Sequence, residues 1–169
     1  VNLYIGGVSR ACRNLALTSQ FVSSLNAQGW KFIPTWVGLQ AACNEGTYGA
    51  NKVMSYTQTE AYNQGVNEAN SAIAVAQSLG LTNPDGSGTV IYFDLEHYSE
   101  LNTDCGAAAT AFINGWTFQM RARGNLAGVY ASPCNARDWW NTTNVPDALW
   151  VANWYGAAGS VSYTPSASV

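Results

Sequence analysis

The stretch Thr89-Val90-Ile91-Tyr92-Phe93-Asp94-Leu95-Glu96 closes an apolar run on two carboxylates spaced two apart. Strand side chains alternate between faces, so Tyr92, Asp94 and Glu96 share one side while Ile91, Phe93 and Leu95 share the other. In a (β/α) barrel the carboxyl ends of the strands carry the chemistry. A paired Asp and Glu there can cleave a glycosidic bond, one carboxyl protonating the leaving oxygen and the other assisting it. The competing reading of a bare Asp-x-Glu makes Asp94 a helix cap and Glu96 a solvated loop acid; the surrounding pattern decides for the first. His97 follows Glu96 directly, so alternation turns it away from the acid face and it reads as a loop residue rather than a catalyst.

Strand-like and helix-like segments alternate around this motif, which is the signature of parallel βα units. Val1 to Gly7 reads as a buried strand, and Thr18 to Gln28 as a helix capped by Thr18 or Ser19 and stopped by Gly29. Lys31 to Val37 is a second strand running into the loop Gly38 to Cys43. A long helix starts at Thr57 or Thr59 and carries Ala61, Val66, Ala69, Ile73, Ala76 and Leu79 at helical spacing before Gly80 ends it. The turn cluster Asn83-Pro84-Asp85-Gly86-Ser87-Gly88 precedes the carboxylate strand. Asp104 to Arg123 is a third helix, Leu126 to Ser132 a fourth strand and Ala148 to Trp154 a fifth, with a short helical turn at Asn135 to Trp140 between them. The tail, 156–169, reads as irregular, with at most one further strand around Ser160 to Tyr163. The fold class is therefore α/β with parallel strands and surrounding helices, either a portion of a (β/α) barrel, the favoured reading, or an open sheet that covers its edges in an unusual way. Five strands do not close a barrel of eight, which typically takes about 250 residues. The expectation is a single domain over 1–169 that forms an incomplete barrel, with the missing part outside this stretch of a longer polypeptide. No leader precedes Val1, so one is expected to have been removed.

Charged residues make up 10 % of the 169 residues, against about 25 % in an average globular protein. The surface must be covered largely by Asn, Ser, Thr, Gln and Gly, a composition common among secreted proteins. A formal charge of −3 offers nothing to neutralise a phosphate backbone, so nucleic acid is excluded as a partner. No stretch reaches the roughly 18 apolar residues of a membrane span. Cys12, Cys43, Cys105 and Cys134 lack C-x-x-C spacing and have a single histidine for company, so a metal site is not expected and no cofactor is implied. Two disulfides in an oxidising compartment fit better, with three pairings open. If consecutive strands are neighbours, Cys12–Cys43 and Cys105–Cys134 would tie adjacent loops on one rim. Asn141-Thr142-Thr143 is a sequon, a glycosylation site if the producer is eukaryotic.

Tyr4-Ile5-Gly6-Gly7, Gly29-Trp30, Ile33-Pro34-Thr35-Trp36-Val37-Gly38-Leu39-Gln40-Ala41, Ile91-Tyr92-Phe93-Asp94-Leu95-Glu96, Gly128-Val129-Tyr130 and Trp150-Val151-Ala152-Asn153-Trp154 together resemble one family. It is the secreted glycoside-hydrolase-like domain, long catalogued as a domain of unknown function and distantly similar to the family 25 lysozymes. The resemblance implies a TIM-type barrel with its sugar groove at the strand carboxyl ends. It makes Glu96 the proton donor and Asp94 its partner carboxylate, with Tyr92 deeper on that face. It places Gln40, Trp36, Tyr130 and Trp154 at candidate substrate-binding positions; for Gln40 a hydrogen bond to a sugar hydroxyl or acetamido group and an amide that braces the loop backbone are both open. The family normally begins one strand earlier, on a strand bearing another acid that this sequence lacks. Aromatic side chains suit such a groove because sugar rings present apolar C–H faces to flat platforms.

Three functions compete. The first is a secreted domain hydrolysing amino-sugar polymers such as peptidoglycan or chitin by carboxylate acid/base catalysis. The second is a carbohydrate-binding domain that kept the fold without turnover. The third is a structural module that self-associates in an extracellular assembly.

Overall fold

The computed structural model describes residues 1–140 and 142–152. Five strands form one parallel sheet in the order β1 (Asn2–Gly6), β2 (Ile33–Trp36), β3 (Val90–Asp94), β4 (Leu126–Ala131) and β5 (Ala148–Val151). Between them run α1 (Ser19–Ala27), a short α2 (Glu45–Tyr48), α3 (Gln58–Ser78), α4 (Thr103–Ala122) and a single turn, α5 (Pro133–Ala136), continued by 3-10 geometry over Arg137–Trp139. Strands adjacent in sequence are adjacent in space, and right-handed crossovers then deliver successive helices to the same face. This is the α/β architecture expected from the alternation of segments. Among the described residues the sheet runs from β1 to β5 without closing. The expected irregular tail and its possible strand lie outside the described residues, as do Trp154 and Asn141.

Helix boundaries follow the caps. The Thr18 hydroxyl accepts the Phe21 N–H at the start of α1, and the Asn102 side chain accepts the Cys105 N–H at the start of α4, each satisfying a donor that the first turn leaves unpaired. Gly29, Gly80 and Gly124 follow α1, α3 and α4 at φ of 91°, 74° and 72°, the left-handed stop that glycine provides.

The sheet's two faces differ in kind. Trp36, Phe93, Val129 and Leu149 stand level on the helix-covered face, where Phe93 meets Phe112 at 4.9 Å and Trp116 at 5.1 Å between ring centroids. Ile91, Phe93, Phe112, Ile113 and Trp116 are all fully buried, so this side is the core. The other face carries Thr35, Tyr92 and Gly128 on one level and Asp94, Tyr130 and Trp150 on the next. A Cβ at Gly128 would lie 2.6 Å from the Tyr92 ring, so the bare backbone of β4 makes room for that ring.

Helices α3 and α4 approach through glycine on both sides. A Cβ at Gly65 would stand 2.1 Å from the Phe112 carbonyl oxygen, and one at Gly115 would stand 2.1 Å from the Tyr62 carbonyl oxygen. Backbone cannot yield as a side chain can, so a methyl at either position forces the helices apart.

The disulfide pairing expected from strand order is corrected. Cys43, just beyond β2, bonds Cys105, in the first turn of α4 beyond β3, across a Cα–Cα distance of 5.7 Å, while Cys12 and Cys134 are free thiols. Adjacent loops on one rim are indeed tied, but they are the loops after β2 and β3. The long connection after β2 doubles back, through a parallel bridge between Gln40 and Val53, and this brings Cys43 to β3 rather than to β1. Closing a loop with a sequence separation of 62 residues stabilises the fold by about 4 kcal/mol in the chain-entropy picture.

Gly115→Ala is expected to lower unfolding stability by roughly 2–4 kcal/mol in urea titrations followed by tryptophan fluorescence. Gly46→Ala, where a Cβ meets nothing within 4 Å, is the control, expected within about 0.5 kcal/mol of the parent. Equal stability of the two variants would contradict the close helix contact.

Candidate active site

Asp94 ends β3 on the face without helices, and Glu96 follows on the same side; both line a cleft of about 680 Å³, within the usual range for small-molecule sites. The loop after β1 supplies Ser9, Arg10, Cys12 and Asn14 to its wall, β1 supplies Asn2 and Tyr4, and the β2 loop supplies Val37 and Tyr48. A larger groove of about 1000 Å³ between α1 and the turn after α3 lies at the opposite, amino-terminal ends of the strands. Its lining has no carboxylate, so it lacks the acid pair that the smaller cleft contains.

Asp94 is 5 % exposed, and its Oδ1 is buried with no hydrogen-bond partner among the described residues. Burial first, and the charge of Glu96 second, push its carboxyl up to about 7. A carboxyl out of water loses more by ionising than one in water, and a neighbouring anion adds to the cost. Asp94 therefore holds a proton close to neutrality, which is the property a general acid needs. The Tyr48 phenol is also raised, by burial and then by the charges of Glu96 and Asp94. It stays neutral at pH 7 and faces the acid pair as a hydrogen-bond donor.

Gln40 has two roles open to it, sugar binding and a brace of the backbone, and the structure shows the brace. It is fully buried; its Nε2 donates to the Asp94 carbonyl at 2.9 Å and its Oε1 accepts the Glu96 N–H at 2.9 Å. Both ends of the amide are spent on the backbone that presents the two acids, so Gln40 positions them and does not reach substrate. Trp36 is likewise corrected. It stands level with Phe93 on the helix face, 7 % exposed, and its Nε1 donates to the Glu68 carboxylate on α3. Residue parity places Thr35, not Trp36, on the acid side.

Tyr92 and Tyr130 are on the acid side as expected. Each meets Trp150 edge to face, with centroids 6.3 and 5.3 Å apart. Trp150, 38 % exposed, is a site-face aromatic that the sequence reading passed over in favour of Trp154; its register with Tyr130 was the available signal. Arg10, Tyr48, Asn2 and Tyr4 were also missed, and for Arg10 and Tyr48 no periodicity existed to find them. His97 is exposed, with its Nδ1 beside Ser132 Oγ and Asn135 Oδ1 at 3.2 and 3.1 Å, and so ties two loops outside the cleft. Among the described residues no group of three or more His, Cys, Asp and Glu side chains could hold a metal ion, and no helix is long and apolar enough to cross a membrane.

A profile of the family described as Rv2525c-like, glycoside hydrolase-like domain matches residues 1–168. The chain belongs to this family. Among solved structures, a 1.07 Å crystal structure of an uncharacterized B. stearothermophilus protein superposes on this glycoside hydrolase-like domain with a TM-score of 0.58 at 18 % identity. The match covers 88 % of this chain and 62 % of that one, and at such identity it concerns the fold alone. The domain thus spans about 62 % of that neighbour's length. No curated protein matches the sequence.

A raised carboxyl makes the domain's stability depend on pH with a defined sign. The folded state binds the Asp94 proton more tightly than the unfolded chain, so its contribution is complete below about pH 4 and is lost as pH rises through about 7. Asp94→Asn is therefore expected to gain stability relative to the parent between pH 4 and pH 8, by roughly 2–4 kcal/mol, in thermal and urea unfolding. A difference that stays constant over that range would show that Asp94 titrates normally.

Proposed function

We propose that this domain hydrolyses amino-sugar polymers, of the peptidoglycan or chitin kind, by acid/base catalysis at the Asp94 and Glu96 pair. The carrying observation is that both carboxyls line one cleft at the carboxyl end of a central parallel strand, one of them holding its proton to about pH 7. Membership of a glycoside hydrolase-like family supports the same reading. The disulfide supports an oxidising, extracellular setting.

Asp94, the deeper member of the pair, keeps its proton towards neutrality because burial and then the charge of Glu96 oppose its ionisation. Glu96, the less buried of the two, faces the incoming sugar. A ring that covers the cleft removes water from Glu96 as well, and the proton then becomes available to the glycosidic oxygen from the pair as a unit. As the bond breaks the remaining carboxylate stabilises positive charge at the anomeric carbon or steadies an acetamido group; a water then adds its oxygen to that carbon and returns a proton to the carboxylate that gave one up. Tyr48 and the amide of Asn2 supply donors for sugar hydroxyl and acetamido oxygens. Tyr92, Tyr130 and Trp150 lie on the same sheet face but outside the lining of this cleft, where their rings offer a further platform for a longer glycan.

Reducing-end release from peptidoglycan, chitin and soluble β-glycans by the full-length natural protein tests this directly. Glu96→Gln and Asp94→Asn are each expected to lower kcat by roughly 10²–10⁴ with little loss of glycan affinity. In the parent, activity is expected to fall as pH rises through about 7, where Asp94 loses its proton. Glycan binding without release from any substrate would overturn the hydrolase and favour a carbohydrate-binding domain.

A further inference from the structure

Arg10 lines the cleft together with Asp94 and Glu96. It comes from the loop after β1, two strands away from the acids, and is half-buried. Its one side-chain hydrogen bond among the described residues runs from Nη1 to the Tyr4 carbonyl at 3.2 Å. The ion pairs among the described residues are Arg121 with Asp147 and Arg137 with Glu100, so Arg10 has no carboxylate partner although two acids share its cleft. A guanidinium carries five N–H donors in a planar fork and does not lose its charge. One donor is tethered to backbone, which fixes the group, and the others are uncommitted. A partly desolvated, unpaired cation on the wall of a binding cleft is a cost unless a ligand supplies the anion.

Resting on the glycan reading above, we infer that the sugar polymer carries a carboxylate close to the bond presented to Asp94 and Glu96, and that Arg10 binds it. The carboxylate can belong to a hexuronic acid ring or to a lactyl ether on an amino sugar; both offer the same planar, two-oxygen acceptor to the guanidinium fork. A single negative charge fits best. With Glu96 in the same cleft, a phosphate dianion would bring a second charge that one arginine cannot neutralise. Asn14 commits its Oδ1 to the Ala16 N–H two residues on, and Asn2 commits its Oδ1 to the Thr35 hydroxyl, so both acceptor oxygens are already engaged. Their remaining amide groups are donors, which again suits an oxygen-rich, acceptor-bearing ligand.

Calorimetric titration of the full-length protein in an Asp94→Asn background, where turnover does not consume ligand, tests the inference. The probes are an N-acetylmuramic acid-containing oligosaccharide, its carboxyl-reduced counterpart, an oligo-β-glucuronate with its own reduced form, and a neutral chitin oligosaccharide. At least one carboxylated probe is expected to bind about 10–100-fold more tightly than its reduced form, the range of a charge-assisted pair, and which one identifies the source of the carboxylate. The ratio is expected to fall towards one in Arg10→Gln and to survive in part in Arg10→Lys, which keeps the charge but loses the fork. Equal affinity for acidic and reduced probes would overturn the inference while leaving the glycan reading standing, as would a preference that persists in Arg10→Gln. Binding of none of the probes would overturn both. The comparison of acidic and reduced probes needs no change at Arg10, so poor folding of that variant does not remove the test.

Discussion

β2 pairs with β3 only through Thr35 and Trp36, so the carbonyl of Asp94 and the N–H of Glu96 lie beyond the last rung on that side, and the buried amide of Gln40 takes both. On the opposite side the ladder continues, with the Leu95 N–H on the Tyr130 carbonyl. A side chain thus substitutes for a strand at the point where β2 turns away. Without it, two buried backbone groups would go unpaired, each costing about 1–3 kcal/mol. Gln40 is itself held by its own backbone, which bonds Lys52 and Met54 on the returning limb of the loop. Beneath it the Glu68 carboxylate accepts the Trp36 indole and the Leu39 N–H. Gly38 is bare because a Cβ there would lie 2.5 Å from that carboxylate and 2.7 Å from the Phe93 ring. The disulfide then clamps the same loop to α4. The acids are placed by a chain of contacts that begins on the far side of the sheet.

This arrangement divides labour between the two faces of β3. Ile91, Phe93 and Leu95, fully buried, fix the strand in the core; Tyr92, Asp94 and Glu96 are the surface that the core holds up. Asp94 is expensive to keep, since an unpartnered buried carboxyl lowers stability wherever it ionises. Sites that violate packing rules in this way are expected where function requires it.

Much of this was legible in the sequence because it depends on period. Alternation along 89–96 gave the faces of β3, and threefold and fourfold spacing gave the long helices; the cap residue Thr18 and the stops Gly29, Gly80 and Gly124 agree with the observed ends, whereas the Asn102 cap of α4 was not foreseen. What failed depended on parity or on loop path. Trp36 lies near a strand end, but a single residue of parity puts it on the helix face, and for Gln40, where sugar binding and a brace were both open, complete burial selects the brace. The cysteine pairing required knowing that the β2 loop doubles back. Arg10 comes from an irregular loop and Tyr48 from the single turn of α2, both too short or irregular to carry a periodic signal, and only the cleft brings them to the acids.

Carbon-13 NMR of the side-chain carboxyls, titrated from pH 3 to pH 9, measures most directly whether the end of β3 keeps Asp94 dry beside a second acid. The expected midpoint for Asp94 is about 7, moving down in Glu96→Gln as the neighbouring charge is removed. A midpoint near the usual aspartate value of about 3.9, unaffected by Glu96→Gln, would contradict both the burial of this carboxyl and the role assigned to it.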